Sequence, residues 1–364
     1  MDTKNNVLRV AVGYAYSGKN IGGVRRYMEN IEKLSKHKIT LYPSYENDAK
    51  WREKYDMQVR NDYINNEIKS KQQEIIDKHD VFHSNVDPTW IKLCEEAQIQ
   101  GKLWIHTYHN IYMAEDEPDG KLLQWQEEIN DVQFNIASKA NYKLCVGEWL
   151  VDECNKRSIE SEFVPNFIPT DKLSTIKLNN FKNKYQLKEF ILFSGDVSIR
   201  KNCVEFIKTA KILPQYKFVL MGTGLTKEEI VKTHNIELTD NVIAMGPLSH
   251  TECLEAMNDC SILVMNSFTE GLPTVLIEAM YYETPCIIPE GPDWSKYLLK
   301  DNNIGYKYPL GNVENLSEKI SEIMKDYKTL PNAKKHVEYT FSSNAVISKL
   351  DELYSKTINI PKFS

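Results

Sequence analysis

Short apolar, β-branched runs and helical periods take turns along the chain, and this rhythm constrains its fold more than any other feature. Residues 7–12 read as a buried strand, after which Val24, Tyr27, Met28, Ile31 and Leu34 recur on one face of a helix. Residues 39–42, 80–83, 103–107 and 142–146 supply further strands, with helical patterns between them. Strands that alternate with helices imply a parallel sheet covered on both faces. The rhythm restarts after Pro165-Asn166-Phe167-Ile168-Pro169, with strands expected at 190–194, 216–221, 242–245, 262–265 and 286–289. Helices are expected over stretches such as 204–213 and 275–282. The chain has 364 residues, more than one ordinary core holds. The expected fold class is therefore α/β, with two Rossmann-like domains over 1–168 and 169–341 and a linker near 168–172. The stretch 342–364 begins as an amphipathic helix, expected to pack back on the first domain.

Composition narrows the function classes. The net charge is −6, whereas a protein that holds a nucleic-acid backbone is usually basic, so nucleic acid is not an expected partner. No apolar run approaches the ~18–20 residues of a membrane span. The start, Met1 to Asn6, is polar and lacks the apolar core of a signal peptide. The seven cysteines are scattered without CxxC spacing, which suggests neither a disulfide framework nor a zinc site. A cytoplasmic protein with reduced thiols and no metal is the expectation. Residues 43–79 are charged and interspersed with Trp51, Tyr55 and Tyr63. A solvated charged face is the favoured reading there, and peripheral contact with a membrane surface is the other.

The most informative segment is Asn266-Ser267-Phe268-Thr269-Glu270-Gly271-Leu272-Pro273-Thr274-Val275-Leu276-Ile277-Glu278-Ala279-Met280. It follows a strand and opens a helix, at the strand's carboxyl end, where ligands bind in open α/β sheets. Gly271 lets backbone approach a ligand closely. Pro273 sits near the first helical turn, where its missing N–H costs nothing. The amides of Leu272, Thr274 and Val275, together with the helix dipole, form an anion site suited to a diphosphate. Glu270 in the loop and Glu278 one turn into the helix can face the same ligand at different points. A carboxylate that accepts from vicinal hydroxyls is the device dinucleotide sites use for ribose.

This segment resembles the Glu-x7-Glu signature of the family 4 glycosyltransferases, which have the GT-B fold of two Rossmann-like domains facing a central cleft. The Glu-Gly-Leu-Pro turn, the Leu-Ile-Glu-Ala-Met helix and the following Thr-Pro-Cys-Ile-Ile strand all take part in the match. The resemblance implies that Glu278 holds the ribose, that Glu270 contacts the donor sugar, and that the amides of residues 271–275 take the diphosphate. The family usually carries an arginine directly after the glycine of Ser194-Gly195-Asp196 and a lysine five residues later. Lys201 falls on the lysine position, whereas Asp196 replaces the arginine, and Arg200 is the candidate for the missing guanidinium. Gly222-Thr223-Gly224 is similar to a turn in the family's nucleotide half. Residues 242–248, with Gly246, resemble the segment whose backbone stacks on the base. In the first domain, residues 18–23, with Gly22 and Gly23, resemble a Gly-Gly loop that faces the donor phosphates. Thr107-Tyr108-His109 resembles the family's Thr-x-His strand end and implies that His109 lies near the donor sugar. His106 is expected in the sheet, His83 is a weaker candidate for the cleft, and Asn166 matches an inter-domain turn.

The implied activity is a retaining, metal-independent transfer from a nucleotide-diphosphate sugar, with a UDP-sugar favoured and no separate cofactor. The implied acceptor is a saccharide or a lipid-linked glycan. No general base is evident, so Glu270, His109 and Lys201 are the candidate catalytic residues. Two other readings remain open: a nucleotide-sugar epimerase of the same fold, and a non-catalytic sugar-nucleotide-binding partner, which the Asp196 departure keeps in view.

Overall fold

The computed structural model describes residues 7–13, 23–42, 66–114, 117, 120–299 and 303–356. Gly22 with most of the glycine-containing turn, residues 43–65 of the charged stretch and the tail from 357 lie outside the described residues. The chain forms two compact units. One takes the described residues of Met1–Tyr112, Leu122–Phe167 and Ser343–Ser364, the other those of Met113–Lys121 and Ile168–Ser342.

The first unit is a parallel sheet of β1 (Arg9–Gly13), β2 (Lys38–Tyr42), β3 (Val81–Ser84), β4 (Leu103–Tyr108), β5 (Tyr142–Cys145) and β6 (Glu162–Phe163), in the order β2-β1-β3-β4-β5-β6. Its helices are α1 (Gly23–Leu34), α2 (Gln72–Lys78), α3 (Pro88–Ile99), α4 (Gln124–Asn135) and α5 (Glu148–Lys156). Side chains alternate across a strand, so β1 feeds two cores. Val10 and Val12 join Tyr27, Met28 and Ile31 of α1, while Ala11 joins Phe82, Trp90 and Trp104 on the other face. Burial on both faces is why the run reads as continuously apolar rather than alternating. Asp87 caps α3 by accepting from the Trp90 N–H at 2.7 Å, and Pro88 occupies the first turn, where no N–H is needed. The terminal helix Ser343–Ser355 lays Val346, Ile347, Leu350, Leu353 and Tyr354 into the core of β1 and α1. Asp351 on that helix accepts from Ser35 Oγ at 2.5 Å and from the Lys36 N–H at 3.1 Å.

The second unit repeats the plan with β7 (Phe190–Asp196), β8 (Lys217–Thr223), β9 (Val242–Gly246), β10 (Ile262–Val264), β11 (Cys286–Glu290) and β12 (Tyr306–Pro309). All pairs are parallel, in the order β12-β11-β10-β7-β8-β9. Its main helices are α6 (Cys203–Ile212), α7 (Lys227–His234), α8 (His250–Asp259), α9 (Thr274–Tyr281), α10 (Val313–Lys325) and α11 (Pro331–Thr340). The chain builds outward from β7 to β9, then crosses back to place β10 on the other side of β7. That reversal is a topological switch point, and the crevice beyond the carboxyl ends of β7 and β10 is where such sheets bind ligands.

Two differences from the sequence expectation bear on the site. β7 and β8 each run two residues further, through Asp196 and Thr223, so Gly195-Asp196 extend the expected strand and Gly222-Thr223 are strand rather than turn. Glycines permit this: Gly195 pairs with Gly222, and a Cβ on Gly222 would lie 1.7 Å from the Gly195 carbonyl oxygen. The edge strands β6 and β12, the latter Tyr-Lys-Tyr-Pro, were not expected from their short, polar-interrupted sequences.

Candidate functional site

The loops that leave β7 and β10 carry the candidate residues of the second unit. After β7, Asp196 Oδ1 accepts from the Ser198 N–H at 2.9 Å and tightens the chain into a short 3-10 turn, Ile199–Lys201. Asp196 is therefore a turn former, and its carboxylate has a local backbone task. The turn ends on Asn202 in the left-handed region (φ 52°), and α6 begins one residue later. Val197 O takes a hydrogen bond from His234 Nε2 at 2.8 Å, which ties the loop to α7.

After β10, residues 266–273 cross toward α9. Asn266 Nδ2 donates to Tyr308 Oη at 2.6 Å, and Trp294 Nε1 donates to Ser267 O at 3.2 Å, so the loop is held from two sides. The Phe268 N–H donates to Arg200 O at 2.9 Å, which joins the two loops directly. This contact sets Lys201 against Glu270: Nζ and Oε1 are 2.5 Å apart, with side chains 19% and 12% exposed. A charge-assisted pair so enclosed positions both groups and keeps each ionised partner compensated. Arg200 contributes its carbonyl to the loop junction, and its side chain is partly exposed.

Pro273 is the N-cap of α9 and not its first residue, with extended backbone (φ −75°, ψ 111°). Thr274 and Val275 follow as the first helical positions, whose N–H groups have no acceptor within the helix by geometry. Glu278 lies one turn in, its side chain 7% exposed, and its Oε1 accepts from His250 Nε2 at 3.0 Å. His250 opens α8 and was not a sequence candidate. The Ser249-x-x-Glu252 capping box marks that helix start in the sequence, but nothing in it points toward Glu278, 28 residues on. The structure thus brings Lys201, Arg200, Glu270 and the head of α9 onto adjoining loops, with Glu278 behind them on the same helix. Gly246 ends β9 at φ +69°, and its N–H donates to Leu225 O at 2.9 Å.

In the first unit the histidines differ from expectation in one respect. His83, weighed for a ligand-facing position, is wholly buried, with Nδ1 on Tyr354 Oη and Nε2 on Thr107 Oγ1, both at 2.7 Å. Those bonds make it a packing residue. His106 is buried in the sheet, as expected, with Nδ1 against Ser84 Oγ at 2.8 Å. His109 follows β4 and is only 5% exposed; its Nε2 meets Asn85 Oδ1 at 2.8 Å and its ring stands edge-on to Tyr27. Its Nδ1 has no hydrogen-bond partner among the described residues. Burial pushes the pKa of both His83 and His109 down to about 3, so both rings are neutral near pH 7. Asn85, which sequence reasoning missed, links His109 to the end of β1 by donating to Gly13 O at 2.9 Å. Gly23 opens α1 with nothing within 4 Å of the space a Cβ would take. Among the described residues no group of three or more His, Cys, Asp or Glu side chains is arranged to hold a metal ion. No described helix is long and apolar enough to cross a membrane.

Residues 175–340 match the family model of the glycosyl transferases group 1. The chain is 29% identical over 153 residues to the GalNAc-alpha-(1->4)-GalNAc-alpha-(1->3)-diNAcBac-PP-undecaprenol alpha-1,4-N-acetyl-D-galactosaminyltransferase of Campylobacter jejuni, covering 40% of this chain and 42% of that protein. It spans 58% and 63% of the length of two further curated relatives. Among solved structures it resembles a sucrose-phosphate synthase from Thermosynechococcus elongatus, with a TM-score of 0.76 at 16% identity over 96% of this chain and 99% of that one. It also resembles HepE of Anabaena in complex with UDP and glucose, with a TM-score of 0.73 at 14% identity over 96% of this chain and 100% of that one. These likenesses give the chain the GT-B glycosyltransferase fold, two parallel six-stranded sheets in an α/β arrangement.

Proposed function

We propose that this protein is a glycosyltransferase that moves a sugar from a nucleoside-diphosphate donor, with a UDP-sugar favoured, to a lipid-linked glycan, with retention of anomeric configuration. The single observation that carries the reading is the Lys201–Glu270 pair at the head of α9, with Glu278 one turn behind it. The match of residues 175–340 to the group 1 model supports the same reading. So does the undecaprenol diphosphate acceptor in the name of the Campylobacter relative, and the UDP bound in the Anabaena structure.

In this reading the diphosphate lies over the first N–H groups of α9, where the helix dipole favours negative charge. Lys201 and Arg200 bring the cations. As the glycosidic bond to the diphosphate lengthens, charge grows on the leaving oxygens, and preorganised cations and amides stabilise it without reorganising. Those groups carry the neutralisation in place of a metal ion. Glu270 accepts from hydroxyls of the donor sugar while Lys201 holds its carboxylate in place. Glu278 accepts from the ribose hydroxyls. The proton of the acceptor hydroxyl passes to the departing phosphate, whose oxygens gain negative charge as the bond to the sugar breaks. His109, neutral and buried in the first unit, is a hydrogen-bonding group rather than a proton donor.

The test is transfer of radiolabelled sugar from a panel of UDP-sugars to an undecaprenyl-diphosphate-linked glycan, with the anomer of the product read by NMR. Label should enter the lipid fraction as the donor's own anomer. Release of free sugar or an epimerised nucleotide sugar, with no labelled lipid on any acceptor, contradicts the proposal.

A further inference from the structure

We infer that His250 is a positioning residue for the nucleotide's ribose, acting by holding the Glu278 carboxylate in register; this rests on the reading of Glu278 given above. An ionised carboxylate only accepts, so the 3.0 Å contact between His250 Nε2 and Glu278 Oε1 places the proton on Nε2. The exposures are unequal: the carboxylate is 7% exposed and the imidazole 41%. The acid is nearly buried, while the histidine that contacts it reaches solvent. A carboxylate offers about four acceptor positions, so one imidazole N–H orients it and still leaves it able to receive two vicinal hydroxyls.

The histidine itself is held. Ser249 caps α8, with its Oγ accepting from the Glu252 N–H at 3.3 Å and its own N–H donating to Glu252 Oε2 at 3.1 Å. Glu252 in turn accepts from Lys184 Nζ at 2.5 Å and Tyr185 Oη at 3.0 Å. The first turn of α8, and with it His250, is thus fixed to an element outside the binding loops. Orientation supplied by a second residue in this way costs affinity when removed, because the carboxylate then samples other rotamers.

The experiment compares wild type, His250→Ala and His250→Gln by calorimetric titration. The probes are whichever of UDP, GDP and ADP binds wild type best and its 2′-deoxy analogue. Thermal melting confirms that each variant is folded. His250→Ala should lose about tenfold in affinity for the ribonucleotide and less than twofold for the 2′-deoxy form, so that discrimination between them collapses. His250→Gln, which keeps a donor near Nε2, should recover part of the loss. Equal weakening of both ligands, unchanged discrimination, or tighter ribonucleotide binding in His250→Ala overturns the inference while leaving the donor site intact. Failure of wild type to bind any of the three nucleotides overturns the donor site itself, and the inference with it.

Discussion

Replacing Lys201 by Met and Glu270 by Gln, singly and together, probes the contact that joins the two site loops. At 2.5 Å and an effective dielectric of about 20, the Coulomb attraction is about 6–7 kcal/mol. Desolvation of both ions offsets most of it. Removing one partner of a fully buried pair costs about 3–5 kcal/mol, because the survivor stays uncompensated. Here water reaches both groups in part, so each single variant should lose about 1.5–3 kcal/mol. The double variant should lose less than the sum, with a coupling of about 1–2 kcal/mol. The chain has two units, so one unfolding curve does not isolate the second. Trp294 is the one tryptophan among residues 168–342, and it donates to the loop at Ser267 O. Its resonance after 5-fluorotryptophan labelling, followed by 19F NMR through a urea series, reports the second unit alone. Strict additivity of the two substitutions would refute the pair as an energetic link between the loops.

Gly222→Ala should destabilise the second unit by about 3 kcal/mol or more. Its Cβ would meet the Gly195 carbonyl oxygen at 1.7 Å, from a backbone φ of +131°; a urea midpoint within error of wild type would contradict this. The first unit should weaken in mild acid. His83 and His109 titrate near 6.5 when unfolded and at about 3 when folded, so the unfolded chain binds more protons between those values. Their contribution is complete above pH 6.5 and is lost as pH falls toward 3, by about 2 kcal/mol per histidine at pH 5. Urea midpoints of the first unit taken from pH 7 to pH 5 should show that decline, and a flat profile would contradict the buried, neutral assignment.

Much of the fold was legible because parallel strands buried on both faces leave continuous apolar runs, as at Val10-Ala11-Val12 and Phe190-Ile191-Leu192. The turn from Glu270 into the helix of Glu278 was legible for a related reason: loop, N-cap and helix are local in sequence, so spacing alone places them. Contacts between distant elements were not. Lys201 meets Glu270 across 69 residues, through a backbone bond from Phe268 to Arg200 that no side-chain pattern announces. His250 meets Glu278 because α8 and α9 pack together, and a lone histidine at a helix start carries no sign of that. His83 looked like a ligand-facing strand end, but the terminal helix brings Tyr354 onto it from 271 residues away. Asp196 read as a missing cation; its use as a turn former emerged only with the backbone around Ser198.

In the proposed function, the head of α9 with Glu270 and Glu278 grips a nucleoside diphosphate. Titration of UDP into wild type and into folded Glu278→Ala tests it most directly. Saturable binding to wild type at one site per chain and at least tenfold weaker binding to the variant are expected. Equal affinity in the two proteins would contradict it.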